Sequence, residues 1–372
     1  MSPTISHSTL HFIISTMRVI ALLLPLLGLG DALLVPNSSG PYGVALRVQG
    51  MTDDRRIDPY DPKKGHRQVL ASVFWPVDKD SCSKKVIPYM PPVTAAYYGQ
   101  QAQALGLSND TFKAFQFEVC TPKTSKSGCA SDKKYPVAIF SPGAGNSRLL
   151  YSAMARSLAS HGNVVVLIDH PYDQDVVEFP NGKIIKSANI PEDIPSLNKL
   201  SQVRAKDISF VISQVKTPSF QRKVFKGFPG TFDTNKIVAL GHSLGGASAA
   251  NAVLEDSRIR GGMNLDGQLF EPALSKGLKK PFYLIGRPSH SESDKTWNKF
   301  YNNLKGPKDM KLIKGTQHGS FTDYPQLISA LGLPEEAKKT VEPMIGSVDG
   351  PVLEKLIAKT VVGYMKLCFS HN

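Results

Sequence analysis

Val238-Ala-Leu-Gly-His-Ser-Leu-Gly-Gly246 is the stretch whose reading decides the fold. The apolar residues before Gly241 read as a buried strand, and Gly246-Ala-Ser-Ala-Ala-Asn-Ala-Val253 reads as a helix of small residues. Between them, Gly241-His-Ser-Leu-Gly245 sets a serine two residues from a glycine on either side, the Gly-x-Ser-x-Gly nucleophile elbow. The chemistry dictates that spacing. A reactive hydroxyl must stand at the top of a sheet, on a turn too sharp for side chains two residues away. The helix that follows offers its N-terminal amides to a developing oxyanion. A bland glycine-rich turn would share the five residues but does not require this strand and helix around them.

Working outward, short apolar runs alternate with helical stretches. Tyr135–Phe140, Asn163–Asp169, Lys236–Leu240, Arg260–Asp266, Pro281–Ile285 and Met310–Ile313 read as buried strands. Ser147–Ser160, Leu200–Val215 and residues near Asp294–Leu304 read as helices between them. This alternation gives an α/β chain with a mainly parallel sheet covered on both faces. Val44–Gly50 and Val69–Pro76 read as early strands, and Val176–Ile185 carries an Asn-Gly hairpin turn. Residues 78–134 are rich in Pro, Ser and Lys and read as a surface excursion with one helix near Ala95–Leu105. The expected organisation is a targeting segment over 1–32 and one hydrolase-like domain over 33–372.

The N-terminus carries an address. Arg18 precedes the apolar run Val19–Leu29, and Gly30-Asp-Ala32 supplies small residues for cleavage, which fits a secretory signal with the mature chain beginning near Leu33. That run is too short to span a bilayer. Secretion sets how the cysteines read. Four occur, at 82, 120, 129 and 368, and an even count suggests two disulfides. The local pairing joins Cys120 to Cys129, a bridge worth ~3 kcal/mol of chain entropy, and leaves Cys82 for Cys368. Asn37-Ser-Ser39 and Asn109-Asp-Thr111 are glycosylation sequons. No Cys/His spacing resembles a metal site, and no cofactor motif occurs. The formal charge of +13 favours anionic surfaces such as phospholipid headgroups, unless it serves solubility alone. No basic run with interleaved aromatics argues for nucleic acid.

A serine needs a base, and the base an orienting acid, which follow it in the order Ser, acid, His in this kind of fold. His161 and His170 precede Ser243, His242 sits on the elbow and is expected to point away, and His371 is terminal. His318, flanked by Gly315 and Gly319 after the last strand, is the preferred base, with His290 as the alternative. Asp266, ending a strand, is the preferred acid, with Asp294 as the alternative. The oxyanion amides are expected at Leu244 and, in the turn Ser141-Pro-Gly-Ala-Gly-Asn146, at Ala144. Trp297, Phe300 and Tyr301 share one helix face. They either pack that helix onto the sheet or form an apolar rim where lipid enters.

In order, Phe140-Ser-Pro-Gly-Ala-Gly145, Leu158-Ala-Ser-His-Gly162, Gln202-Val-Arg-Ala-Lys206, Gly241-His-Ser-Leu-Gly-Gly246, Asn264-Leu-Asp-Gly267 and His318-Gly-Ser-Phe-Thr-Asp323 make the chain resemble the secreted platelet-activating-factor acetylhydrolases, in a fungal form. These are calcium-independent group VII phospholipases A2 of the α/β-hydrolase fold. The resemblance implies a serine esterase acting on short or oxidised acyl groups of phospholipids without metal or organic cofactor. It places the nucleophile on Ser243, the acid on Asp266, the base on His318, and the oxyanion amides on Leu244 and Ala144. The chain departs from the family at Pro142, where a histidine is usual. Lipases and polyester hydrolases share much of the pattern, so neutral esters are the alternative substrates. An inactive scaffold is the alternative of another class.

Overall fold

The computed structural model describes residues 32–123, 133–226 and 230–370. In chain order its strands are β1 (Leu33–Leu34), β2 (Gly43–Ile57), β3 (His66–Val77), β4 (Cys82–Pro88), β5 (Phe115–Pro122) and β6 (Lys134–Ser141). There follow β7 (Val164–Asp169), β8 (Val176–Glu178), β9 (Ile184–Lys186), β10 (Thr231–His242), β11 (Gly261–Leu265), β12 (Phe282–Gly286) and β13 (Lys308–Leu312). Eight of these form the main sheet, in the order β13-β12-β11-β10-β6-β7-β3-β2. The run from β13 to β7 is parallel throughout, and β3 and β2 close the far edge antiparallel. The elbow strand β10 therefore lies inside the sheet, between β6 and β11.

The apolar strand runs are buried on both faces because each face carries helices. Val137 and Ile139, Val164 and Val166, Ile237 and Ala239, and Phe282 and Leu284 face one way. They meet Ile208, Val211 and Ile212 of the helix Ile194–Val215 and Ala249, Ala250 and Val253 of the helix Leu244–Glu255. The alternate residues, Ala138 and Phe140, Val165 and Leu167, Val238 and Leu240, and Tyr283 and Ile285, face the other way. Those meet the helices Ser152–Ser160 and Gly350–Ser370. Each large aliphatic or aromatic side chain fully buried this way contributes about 1.5–3 kcal/mol. The expected α/β-hydrolase architecture is thus the observed one, with its mainly parallel sheet covered on both sides. The Asn-Gly hairpin is also present, as β8 and β9.

Two expectations need correction. The segment 78–134 is not merely a surface excursion. Its described part supplies β4 and β5 of a second sheet, β1-β5-β4, and a helix Pro92–Ala104. Tyr89, Tyr98, Phe112, Phe115 and Phe117 from it are buried in the core. Cysteine pairing also differs. Cys82 bonds Cys120, because antiparallel register sets Lys84 opposite Cys120 and Cys82 opposite Pro122. Neither expected pair therefore forms: Cys120 is not available to Cys129, which lies outside the described residues, and Cys368 is a free, buried thiol. The targeting segment likewise lies outside them, apart from Ala32. Among the described residues, no helix is long and apolar enough to cross a membrane.

The Cys82–Cys120 bridge spans 38 residues of chain, for which loop-closure entropy is about 4 kcal/mol. A Cys82→Ser/Cys120→Ser double variant is therefore expected to lose roughly 2–4 kcal/mol in denaturant unfolding. An unchanged unfolding midpoint would contradict a structural role for the bridge.

Candidate active site

Every candidate group leaves the sheet at the carboxyl end of a parallel strand. Ser243 follows β10, Asp266 follows β11, Arg287 follows β12, and His318 lies beyond β13. The turn 141–146 follows β6 beside them.

The elbow is as tight as its glycines suggest. A Cβ on Gly245 would stand 2.0 Å from the Ser141 carbonyl oxygen, and one on Gly241 would stand 2.4 Å from the Gly245 backbone. Ser243 takes φ 54°, ψ −128°, a strained backbone for a residue with a side chain. Its amide donates to the Leu265 carbonyl at 2.9 Å, which ties the elbow to the strand carrying Asp266. Ser243 is half-buried. Among the described residues no hydrogen bond engages its Oγ. Nor does any take the Leu244 or Ala144 amide. Leu244 N opens the helix after the elbow, and Ala144 is exposed.

Asp266 is fully buried and also has positive φ, at 52°. The Asn264 side chain braces that turn, bonding both the amide and the carbonyl of Gly267 at 2.8 and 2.7 Å. Four donors converge on its carboxylate. Oδ1 accepts from Arg287 N at 2.9 Å and His290 Nδ1 at 2.8 Å. Oδ2 accepts from Arg287 Nη1 at 2.5 Å and His318 Nδ1 at 2.7 Å. Burial pushes this carboxyl up. The hydrogen bonds from His290 and His318, the His290 charge and the Arg287 amide outweigh that and hold it well below the usual carboxylate range. An ionised carboxylate only accepts, so His318 carries its proton on Nδ1. In the neutral ring, Nε2 is then left with a lone pair.

The structure thus brings together Asp266 and both histidines weighed for the base. His318 is half open to solvent, 49% exposed, and can reach a reacting group. His290 is buried, with Nε2 against Asp294 at 3.2 Å. Asp294 therefore serves His290 rather than His318, and also caps the helix Lys295–Asn303 through the Thr296 amide. Arg287 went unread in the sequence. The signal was its place directly after a parallel strand, the same signal that had singled out His290 and Asp294.

His242 does not point away, contrary to expectation. Its ring lies 4.5 Å from that of His318, and its Nε2 is 3.1 Å from the His318 carbonyl oxygen. That oxygen can only accept, so His242 donates from Nε2. Burial, then the nearby His318, hold its pKa well below the ordinary value, so the ring is neutral and Nδ1 accepts. Tyr151 Oη supplies that proton at 2.9 Å and accepts in turn from Gly143 N at 3.0 Å and Asn146 Nδ2 at 3.1 Å. A directed chain of hydrogen bonds therefore runs from the 141–146 turn to the backbone of His318.

A hydrogen-bonded Ser–His–Asp chain does occur in the interior, among other residues. Ser141 Oγ meets His170 Nε2 at 2.9 Å, and His170 Nδ1 meets Asp207 at 2.8 Å. All three side chains are fully buried, and Asp207 is also paired with Arg67 at 2.7 Å and Arg56 at 2.8 Å. No substrate reaches this chain, so its geometry marks structure rather than catalysis. Among the described residues, no group of three or more His, Cys, Asp or Glu side chains is arranged to hold a metal ion.

Trp297 and Phe300 do not form a rim. Both are fully buried in the core, and Trp297 Nε1 donates to the Gly267 carbonyl at 2.7 Å with its ring 4.0 Å from that of His290.

A family model described as "Platelet-activating factor acetylhydrolase, isoform II" matches residues 29–179 and 190–347. An Arthroderma benhamiae protein named as a probable 1-alkyl-2-acetylglycerophosphocholine esterase is 29% identical over 342 residues, 86% of this chain and 84% of that one. The platelet-activating factor acetylhydrolase of Canis lupus familiaris is 30% identical over 319 residues, covering 78% of this chain and 68% of its own. Among solved structures, a ferulic acid esterase from Streptomyces cinnamoneus superposes with TM-score 0.70 at 26% identity, covering 89% of this chain and 92% of that one.

Two outcomes follow from the geometry. Trp297→Ala is expected to lose about 3–5 kcal/mol of stability, with hydrolysis of soluble and vesicle-borne esters falling together. A loss confined to vesicles in a protein of unchanged melting temperature would contradict the core placement. For His290, burial lowers the pKa, but the bonds to Asp266 and Asp294 more than reverse this and raise it. Its contribution to stability is then complete below the unfolded value of about 6.5 and fades as pH rises through the higher folded value. The stability gap between wild type and His290→Gln should narrow as pH rises through that window. A gap independent of pH would contradict a charged His290.

Proposed function

The chain belongs to the platelet-activating factor acetylhydrolase isoform II family, and from that premise we propose that it is a secreted serine esterase cleaving the sn-2 short or oxidised acyl ester of phospholipids. One observation carries the catalytic part of this reading. The buried Asp266 carboxylate accepts a hydrogen bond from His318 Nδ1 at 2.7 Å, at the carboxyl end of the parallel strands, where the Ser243 elbow emerges.

In this reading Ser243 Oγ attacks the ester carbonyl carbon as its proton passes to His318 Nε2. Asp266 keeps the imidazole in the required tautomer and stabilises the imidazolium. The amides of Leu244 and Ala144 receive the oxyanion. As the tetrahedral species collapses, His318 returns the proton to the departing lysophospholipid oxygen. Water, deprotonated by the same nitrogen, then attacks the acyl-enzyme carbonyl, and His318 returns that proton to Ser243 Oγ as the acyl–Oγ bond breaks and the acid departs. Secretion is supported by the Cys82–Cys120 disulfide and by sequon asparagines, Asn37 and Asn109, that are both exposed.

A second reading, hydrolysis of neutral or aromatic esters, draws on the ferulic acid esterase likeness. Pro142, standing where the resemblance leads one to expect histidine, bears on it because it adjoins Gly143 and Ala144 in the turn assigned to the oxyanion. Rates on phospholipids of graded sn-2 length against neutral esters of the same acyl groups separate the two. The first reading requires a preference for short-chain phospholipid.

Ser243→Ala is expected to abolish ester hydrolysis and fluorophosphonate labelling while leaving unfolding unchanged. Asp266→Asn should cut kcat by up to ~10⁴-fold, as loss of the tautomer-holding acid does in a serine protease. Covalent labelling that survives Ser243→Ala, or an Asp266→Asn enzyme near wild-type rate, would overturn the assignment.

A further inference from the structure

Arg204 is fully buried, in the middle of the helix Ile194–Val215. Its Nε pairs with Asp173, itself 8% exposed. The remaining arms of the guanidinium do not meet a second acid. Nη1 donates to the Pro142 carbonyl and Nη2 to the Gly143 carbonyl at 3.2 Å. A buried guanidinium gripping two successive backbone carbonyls is an unusual use of charge, and nothing in the reaction scheme so far employs it.

Peptide geometry gives it a use. The peptide between Gly143 and Ala144 is trans, since the cis bond among the described residues is Glu271–Pro272. In a planar trans peptide the carbonyl of one residue and the N–H of the next point in opposite directions. Drawing the Gly143 oxygen into the interior therefore turns the Ala144 N–H outward. The same holds one peptide earlier, where the Pro142 oxygen goes to Arg204 and the Gly143 N–H is taken by Tyr151 Oη. Gly143 N is thus occupied, and the Gly145 carbonyl is engaged by the Asp175 amide at 3.0 Å. The Ala144 N–H is left on the exposed side of the turn. A cation bonded to the Gly143 oxygen also polarises that peptide, which makes its N–H a stronger donor.

We propose that Arg204 is a positioning residue for the esterase reaction: by holding the Pro142 and Gly143 carbonyls in the interior, it aims the Ala144 N–H at the substrate oxyanion. The Asp173 carboxylate holds Arg204 in place for this. The proposal rests on the assignment of Ala144 as an oxyanion donor, and its test separates the two ideas.

Arg204→Lys keeps a cation for Asp173 but loses the planar fork that reaches two carbonyls at once. Ala144→Pro removes the N–H itself. On a soluble short-chain ester, Arg204→Lys should lower kcat by 10²–10³-fold, the range seen when one oxyanion donor is lost, with KM changed far less. Affinity for a trifluoromethyl ketone, whose adduct with serine carries an oxyanion, should fall by the same factor as kcat/KM. Affinity for an unreactive ether analogue should hold. The double variant should be no slower than Ala144→Pro alone, because both changes remove the same interaction. Multiplying losses in the double variant, or a kcat decrease in Arg204→Lys without the matching loss of ketone affinity, would overturn the proposal. A damaging Ala144→Pro beside a harmless Arg204→Lys would overturn it while leaving the oxyanion assignment intact. Two harmless variants in an active enzyme would overturn both. If Arg204→Lys does not fold, Arg204→Gln with Asp173→Asn removes both charges together and takes its place in the cycle.

Discussion

The carboxylate of Asp266 is the point on which the site depends. It is fully buried, sits on a backbone with positive φ, and accepts four hydrogen bonds from groups on two further segments of chain. A buried charge left unpaired costs several kcal/mol, so these donors are obligatory. That requirement docks the segment after β12 and the loop after β13 onto the end of β11. The consequence for chemistry is a fixed His318 tautomer. The consequence for packing reaches further, because His290 packs against Trp297 and Trp297 bonds the Gly267 carbonyl beside Asp266. Gly286 is small for the same reason. A Cβ there would stand 2.6 Å from the Trp297 ring and 3.0 Å from Asp266 Oδ1.

The other half of the site, the 141–146 turn, is held from below by polar groups rather than by apolar contact. Ser141 rests on His170 and Asp207, Gly143 on Tyr151, and the turn carbonyls on Arg204. Tyr151 continues through His242 to the His318 carbonyl. The turn and the histidine loop are therefore coupled by hydrogen bonds of defined direction. Rigid support of this kind costs no reorganisation at the moment of reaction, which is where oxyanion stabilisation gains its strength.

How much of this was legible in the sequence depended on whether the constraint was local. The elbow was legible because its sterics act within five residues, and a Cβ at Gly241 collides with the Gly245 backbone as that reading requires. The parallel strands were legible because burial on both faces leaves short unbroken apolar runs. Asp266 could not be separated from Asp294 by spacing, and the structure shows why, since His290 links the two. The β4–β5 pairing within 78–134 was missed because β4 is largely exposed and polar. Phe115, Phe117 and Val119 in β5 do alternate, and that signal was available. Cys82 and Cys120 are joined by a cross-strand register that chain spacing does not reveal. The Arg67–Asp207–His170 network and the Arg204 grip join residues far apart in sequence, so no local pattern announces them.

The central claim is that Ser243 reacts in a frame set by Asp266 on one side and the 141–146 turn on the other. A crystal structure of the fluorophosphonate-inhibited protein tests it most directly. The account requires phosphorus bonded to Ser243 Oγ, with the phosphoryl oxygen about 2.7–3.1 Å from both the Leu244 and Ala144 amides, and His318 still bonded to Asp266. A phosphoryl oxygen turned away from Ala144, or an adduct on any other residue, would contradict it.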